Sequence, residues 1–217
     1  MKLFTTLLLL TGFIAKAQTK EWQQPLKAGI RELEATGDFA TWQQGAEKLG
    51  RLAAAHPEEW LLQYYTGWAY TQSSFRAPKG QADPSTEKAE PFVKKALDLQ
   101  PDNTETLTLM AYWLSARINA NNSRGMSLGG DSRNYSDKAI AADSTNPRAY
   151  LMKALIIYHT PALFGGGKKK AAPIVEEAGQ RFAVFKPKDE LSPRWGEKIF
   201  HELEERMQGK ENEKENK

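Results

Sequence analysis

Three prolines divide this chain at near-equal intervals, and their spacing restricts the fold more than any other feature. Pro57, Pro101 and Pro147 lie 44 and 46 residues apart, in the contexts Ala-Ala-His-Pro, Asp-Leu-Gln-Pro and Ser-Thr-Asn-Pro. Proline has no N–H and a fixed φ, so it ends one helix and suits the first turn of the next. Between the prolines, side chains recur at three- and four-residue steps: Trp60, Tyr64, Gly67, Trp68 and Thr71; Leu107, Met110, Ala111 and Leu114; Met152, Leu155, Ile156 and His159. That is the period of a helix with one buried face. No alternating hydrophobic run predicts a strand. Ala89 and Ala96 lie 12 and 5 residues before Pro101, and Ala142 lies 5 before Pro147. Small residues at such places let two helix backbones approach closely. The expected class is all-α, an α-solenoid of antiparallel helix pairs with a C-terminal capping helix.

These positions resemble the tetratricopeptide repeat, a helix pair of about 34 residues with small residues and a closing proline at set places. Gly67-x2-Tyr70, Ala89, Val93, Ala96 and Pro101 follow its pattern in one copy. Ala111-x2-Leu114, Tyr135, Ala139, Ala142 and Pro147 follow it in the next. A third copy begins at Tyr150, with Ile157, Ala171 and Ala178, and a degenerate first copy lies near Pro25 to Pro57. The resemblance spans residues 21–187, with repeats at 21–57, 58–101, 102–147 and 148–187. It implies a curved right-handed stack that holds a partner or ligand. Segments 73–85 and 119–134 carry the residues in excess of about 34 per copy and are expected as loops between paired helices. A shorter glycine-rich connection, 161–168, stands at the same place in the last copy. Equivalent loops of a solenoid emerge on one edge. Ser192-Pro193 predicts the start of the capping helix, within 192–208. Residues 209–217 have no apolar side chain and read as a disordered tail.

The first residues have the layout of a secretory signal peptide: Lys2, an apolar run too short to span a bilayer, and Ala15-Lys16-Ala17 before Gln18. Cleavage is expected after Ala17, and this junction resembles the signal-peptide ends common in Bacteroidetes. Removing residues 1–17 leaves 200 residues and takes Lys2 and Lys16 from a net charge of +3, leaving +1. Such a chain has no bulk attraction to nucleic acid. The absence of cysteine excludes disulfides, thiolate chemistry and lipidation on Cys. The expected state is a periplasmic or secreted monomer without a stable membrane anchor. The domain proper covers residues 18–208.

Two segments carry the candidate chemistry. In Phe164-Gly165-Gly166-Gly167-Lys168-Lys169-Lys170 glycines precede a helix start, where backbone N–H groups and lysines favour an anion. No Ser or Thr follows the lysines, so it is not a P-loop; a solvated helix–helix turn is the alternative. The stretch from Tyr158 to Gly166 is similar to one recurring in exported tetratricopeptide proteins, including the helical partner of TRAP-type transporters. The second segment holds Arg117, Asn119, Asn121, Asn122, Ser123 and Arg124 and is rich in donors for a carboxylate or polar ligand; the alternative is a flexible loop. Arg76 and Lys79 add charge to the same edge. Tyr65, Tyr158 and Phe164 are expected near the loops, whereas Trp60, Trp68 and Trp113 sit at core spacing. The histidines, His56, His159 and His201, lack zinc-ligand spacing, and no hydrolase motif is present. No cofactor and no metal is expected.

Three functions remain open on sequence. The first is an exported binding or scaffold module that holds a protein partner or small polar or anionic ligand at the concave face or loop edge. The second is a solute-binding accessory of a transport system, with a closed pocket lined by Tyr65, Trp113 and Tyr158. The third is an envelope enzyme with a site in residues 119–131.

Overall fold

The computed structural model describes residues 20–35 and 37–209. The expected signal segment with Ala17, and residues 210–217 of the expected tail, lie outside the described residues. The described chain folds into α1 Gln23–Glu34, α2 Phe39–Ala55, α3 Trp60–Arg76, α4 Ala82–Leu99, α5 Thr104–Ala120, α6 Gly125–Ala142, α7 Pro147–His159, α8 Lys168–Val184 and α9 Glu197–Met207. Short 3-10 turns stand at Asn122–Arg124 and Ala162–Phe164. No strand occurs among the described residues.

Helices pack in consecutive antiparallel pairs, α3 on α4, α5 on α6 and α7 on α8. α5 packs on both α3 and α7, and the three form an inner layer with the second member of each pair behind. Local chemistry sets the starts. The Asp38 carboxylate accepts from Thr41 N–H at 2.9 Å, and Asn103 Oδ1 accepts from Glu105 N–H at 2.8 Å. Asn146 Oδ1 accepts from Arg148 N–H at 3.0 Å, with Pro147 in the first turn where its missing N–H is no loss.

The small residues do what their spacing predicts at Ala89 and Ala96 but not at Ala142, which is exposed near the end of α6. Ala89, Ala96, Ala139, Ala171 and Ala178 are fully buried where helices cross closely. Gly67 is the tightest crossing of α3 on α4: a Cβ there would stand 2.7 Å from Val93 Cγ2 and 3.2 Å from its backbone nitrogen.

Two expectations are corrected. Segments 73–85 and 119–134 are not long loops. α3 runs on to Arg76 and α4 begins at Ala82; α5 runs to Ala120 and α6 begins at Gly125. The extra residues lengthen the helices because their faces find a core: Ser73, Ser74, Ser85 and Ser132 are all buried. Gly129 and Gly130 lie inside α6, where packing of its other face outweighs their poor helix propensity. The last helix also starts later than Ser192-Pro193 suggests, at Glu197 after Gly196, whose φ of 113° suits glycine. Ser192 instead closes a turn on Asp189, whose Oδ1 accepts from Leu191 N–H, Ser192 N–H and Ser192 Oγ–H.

The Gly67 crossing gives a direct check. Gly67→Ala is expected to cost about 1–3 kcal/mol through overpacking. Gly130→Ala, with nothing within 4 Å of the added Cβ, is expected to gain up to about 1 kcal/mol from helix propensity. Thermal melts of the two variants should move in opposite directions.

Candidate functional site

The inner layer is not an empty groove. After α8 the chain turns back, and residues 185–196 cross the face of α3, α5 and α7 as a strap before α9. Trp195 is its plug, 6% exposed, with its ring tilted on Trp68 at 6.3 Å and stacked on Tyr112 at 5.5 Å. Its indole N–H donates to Tyr64 Oη at 2.7 Å, and Tyr64 O–H donates to Glu105 Oε2 at 3.1 Å. Tyr65 O–H donates to the Leu191 carbonyl at 2.9 Å, and Lys27 pairs with Glu190. Beneath the strap lies an ion pair: Arg148 Nη2 donates to Glu105 Oε1 at 2.6 Å, and Arg148 Nε contacts both carboxylate oxygens at 3.1 and 3.0 Å. Asn146 Nδ2 adds a bond to Glu105 Oε1 at 2.9 Å. The Phe185 ring covers the Arg148 guanidinium at 4.4 Å. Burial opposes the Arg148 charge, but Glu105 outweighs it and the arginine titrates above its ordinary value. Burial first, and the Glu105 charge second, push the Tyr64 and Tyr65 phenols well up, so both stay protonated donors.

With the concave face filled by the chain's own residues, the accessible surface is the edge, where α3, α5 and α7 end and turn back. Among the described residues, four of the five exposed large apolar side chains lie there: Phe75 (40% exposed), Met126 (92%), Leu163 (88%) and Phe164 (63%). Phe75 stacks on Tyr112 at 5.1 Å and 14°, and Tyr112 stacks on Trp195, so an aromatic ladder runs from the core out to solvent. α9 closes the other side. Glu202 stands within electrostatic reach of Arg76 and Tyr112. Arg206, one turn on, stands within reach of His159. Burial and then Arg206 hold the His159 imidazole below its ordinary value, so it is neutral at pH 7. This edge beside α9, the mouth of the stack, sets Phe75, Arg76, Tyr112 and Glu202 near one another and His159 near Arg206: aromatic rings, cations and a neutral imidazole.

The residues singled out in the sequence fall into two groups. Arg76, Arg117, Asn119, Asn122, Arg124, Tyr158, Phe164, Gly165, Gly166 and Lys168 all stand at or beside this edge. They are not a field of free cations. Asp83 takes Arg124 in a two-pronged ion pair and titrates low on that account, while Arg124 Nη1 also donates to the Arg117 carbonyl. Arg117 lies over the Trp113 ring at 5.1 Å, and Arg76 lies over Trp42 at 4.3 Å while donating to the Gln72 carbonyl at 2.8 Å. Lys168 is exposed at the first turn of α8. Gly165 and Gly166 shape the preceding turn: Gly165 has φ 82°, and a Cβ on Gly166 would stand 2.1 Å from the Thr160 carbonyl oxygen. Tyr65 is the exception, buried in mid-α3 under the strap rather than near a loop. Trp113 is buried too, its indole N–H donating to the Thr86 carbonyl at 2.9 Å, so Tyr65 and Trp113 line no pocket with Tyr158. An open groove of about 480 Å³ between α1 and α2, bordered by Gly29, Lys48 and Leu52, holds none of these residues.

Phe75, Tyr112, Trp195 and the Glu105–Arg148 pair were missed in the sequence. Phe75 had a signal, since it continues the Trp68–Thr71 step by four residues. Placing residues 73–85 in a loop hid it. The ion pair had none: Arg148 follows a helix-starting proline, where a charged residue ordinarily faces water. No group of three or more His, Cys, Asp or Glu side chains suited to a metal ion occurs among the described residues. No helix among them is long and apolar enough to cross a membrane.

No family model and no curated protein sequence matches the chain. Among solved structures it is similar to the HusA haemophore from Porphyromonas gingivalis, with a TM-score of 0.76 and 28% identity over 89% of this chain and 96% of that one.

The ion pair under the strap is testable. Arg148→Met leaves Glu105 buried without its partner and is expected to cost about 3–5 kcal/mol. Adding Glu105→Gln in the same chain should recover much of that loss, as read by denaturant unfolding.

Proposed function

We propose that this chain is an exported ligand-binding protein of the haemophore kind, which takes a flat, amphipathic ring bearing carboxylates, haem being the model ligand, into the mouth at the helix-turn edge. The observation that carries this reading is the likeness to a haemophore across 96% of that protein's chain. The chemistry of the mouth supports it. The outer face of Phe75 offers a stacking surface continued inward by Tyr112 and Trp195. The Arg206 guanidinium suits a ring carboxylate. The neutral His159 imidazole suits iron in the ring. The tetratricopeptide assignment and the export signal belong to the same reading: a short helical stack, released from the cell, that presents one shaped edge. The ring ligand is a specific member of the small anionic class that the sequence suggests.

Hemin titration of the secreted chain, followed by the Soret band, tests this. Saturable binding at micromolar hemin with a shifted band is expected. Phe75→Ala should weaken it about tenfold, the loss of roughly 1.4 kcal/mol that removal of a stacking ring implies. His159→Ala should change the position of the band itself. Because the folded imidazole titrates below its ordinary value, the neutral form is present above about pH 6.5 and is lost as pH falls. Hemin affinity should fall on acidification in the wild type and much less in His159→Ala. An unshifted, unsaturable Soret band would rule the reading out.

A further inference from the structure

The turn between α7 and α8 has a feature that ligand capture in the mouth does not use. Leu163 and Phe164 stand at its apex, 88% and 63% exposed, and Lys168, Lys169 and Lys170 follow, all exposed. The apex is not held out by slack chain. Phe164 N–H donates to the Pro161 carbonyl at 2.9 Å, Gly165 N–H to Ala162 at 3.0 Å and Gly167 N–H to Ile157 at 2.8 Å. Gly165 and Gly167 take φ of 82° and 99°, and Gly166 is buried against Thr160. A braced turn that fixes two large apolar side chains in water lacks an occupant in the free molecule. The charge around it says which kind. No acidic residue lies between Asp143 and Glu176, a stretch that holds the three lysines. The neighbouring turns of the same edge bring Met126, 92% exposed, and the exposed Lys79.

An apolar tip backed by cations is complementary to the interface of an anionic lipid bilayer, where acyl chains lie just beneath negative headgroups. We propose that the helix-turn edge docks reversibly on an anionic membrane surface, with Leu163 and Phe164 entering the interface and Lys168, Lys169 and Lys170 resting on the headgroups. A protein partner fits less well, because a convex tip needs a matching pocket in the partner, whereas a bilayer interface accepts any protruding apolar group. Two side chains and a few lysines give peripheral binding, not anchorage. The proposal does not depend on the identity of the ligand.

Co-sedimentation of the secreted chain, without hemin, with vesicles of phosphatidylcholine alone or mixed equally with phosphatidylglycerol tests it. Binding to the mixed vesicles is expected, falling steeply with salt, with little to phosphatidylcholine alone. Leu163→Ser with Phe164→Ser should weaken it at least about tenfold. Lys168→Gln, Lys169→Gln and Lys170→Gln together should weaken it about a hundredfold. Both variants should keep the wild-type melting temperature, and hemin titration in the absence of vesicles should be unchanged. Equal binding to both vesicle types, no binding, or variants that bind like wild type would overturn the proposal. So would a loss of self-association by the Leu163→Ser, Phe164→Ser variant in sedimentation velocity, which would assign the tip to a second copy of the chain.

Discussion

The Glu105–Arg148 ion pair is the point on which the remainder of the fold rests. It joins α5 to α7 at the floor of the inner layer, almost out of reach of water: the Arg148 side chain is 2% exposed and that of Glu105 12%. Isolating two charges in this way is unfavourable unless their remaining donors and acceptors are satisfied. Most of them are, by Asn146, Tyr64 and, one step further, Trp195. The same contacts bring the strap down. Phe185 shields the guanidinium, Trp195 completes the chain of hydrogen bonds, and Gly196 passes so close that a Cβ would stand 3.2 Å from Arg148 Cγ. One buried polar cluster thus sets the helix register and decides that the inner face is filled.

What the sequence revealed and what it concealed divide along a physical line. Periodicity and proline punctuation report local preferences, and those survive in the fold: Asn103 and Asn146 cap helices, and Ala89 and Ala139 lie at close crossings. The length of the helices was not legible, because whether Ser73 or Ser132 belongs to a helix or a loop depends on what covers it. The strap was hidden for a stronger reason. Lys186-Pro187-Lys188-Asp189-Glu190 reads as solvated linker, and the run is indeed exposed. Leu191 and Trp195 turn inward, and they do so toward surfaces more than a hundred residues earlier in the chain.

The edge illustrates the same division. Its location follows from the repeat alone, since equivalent turns must emerge together. Its chemistry does not. Arginines that look free in the sequence are engaged with Asp83, Trp42 and Trp113, so the charge there is largely internal. What remains open to a visitor is aromatic and aliphatic surface with lysines at its margin. Mouth and tip are then two parts of one edge, the mouth shaped by α9 and the aromatic ladder, the tip by three consecutive glycines.

The strap also orders events in time. Tyr64 and Tyr65 bond to Trp195 and Leu191 across 131 and 126 residues of sequence. Contacts of that range form late, after local helices and neighbouring pairs. A chain made from its N-terminus therefore keeps its inner face uncovered until residues 185–196 are free to fold back. The stack becomes a finished molecule only when its last segment arrives, and a shortened chain ending before Trp195 exposes Tyr64, Trp68 and Tyr112 together with the Glu105–Arg148 pair.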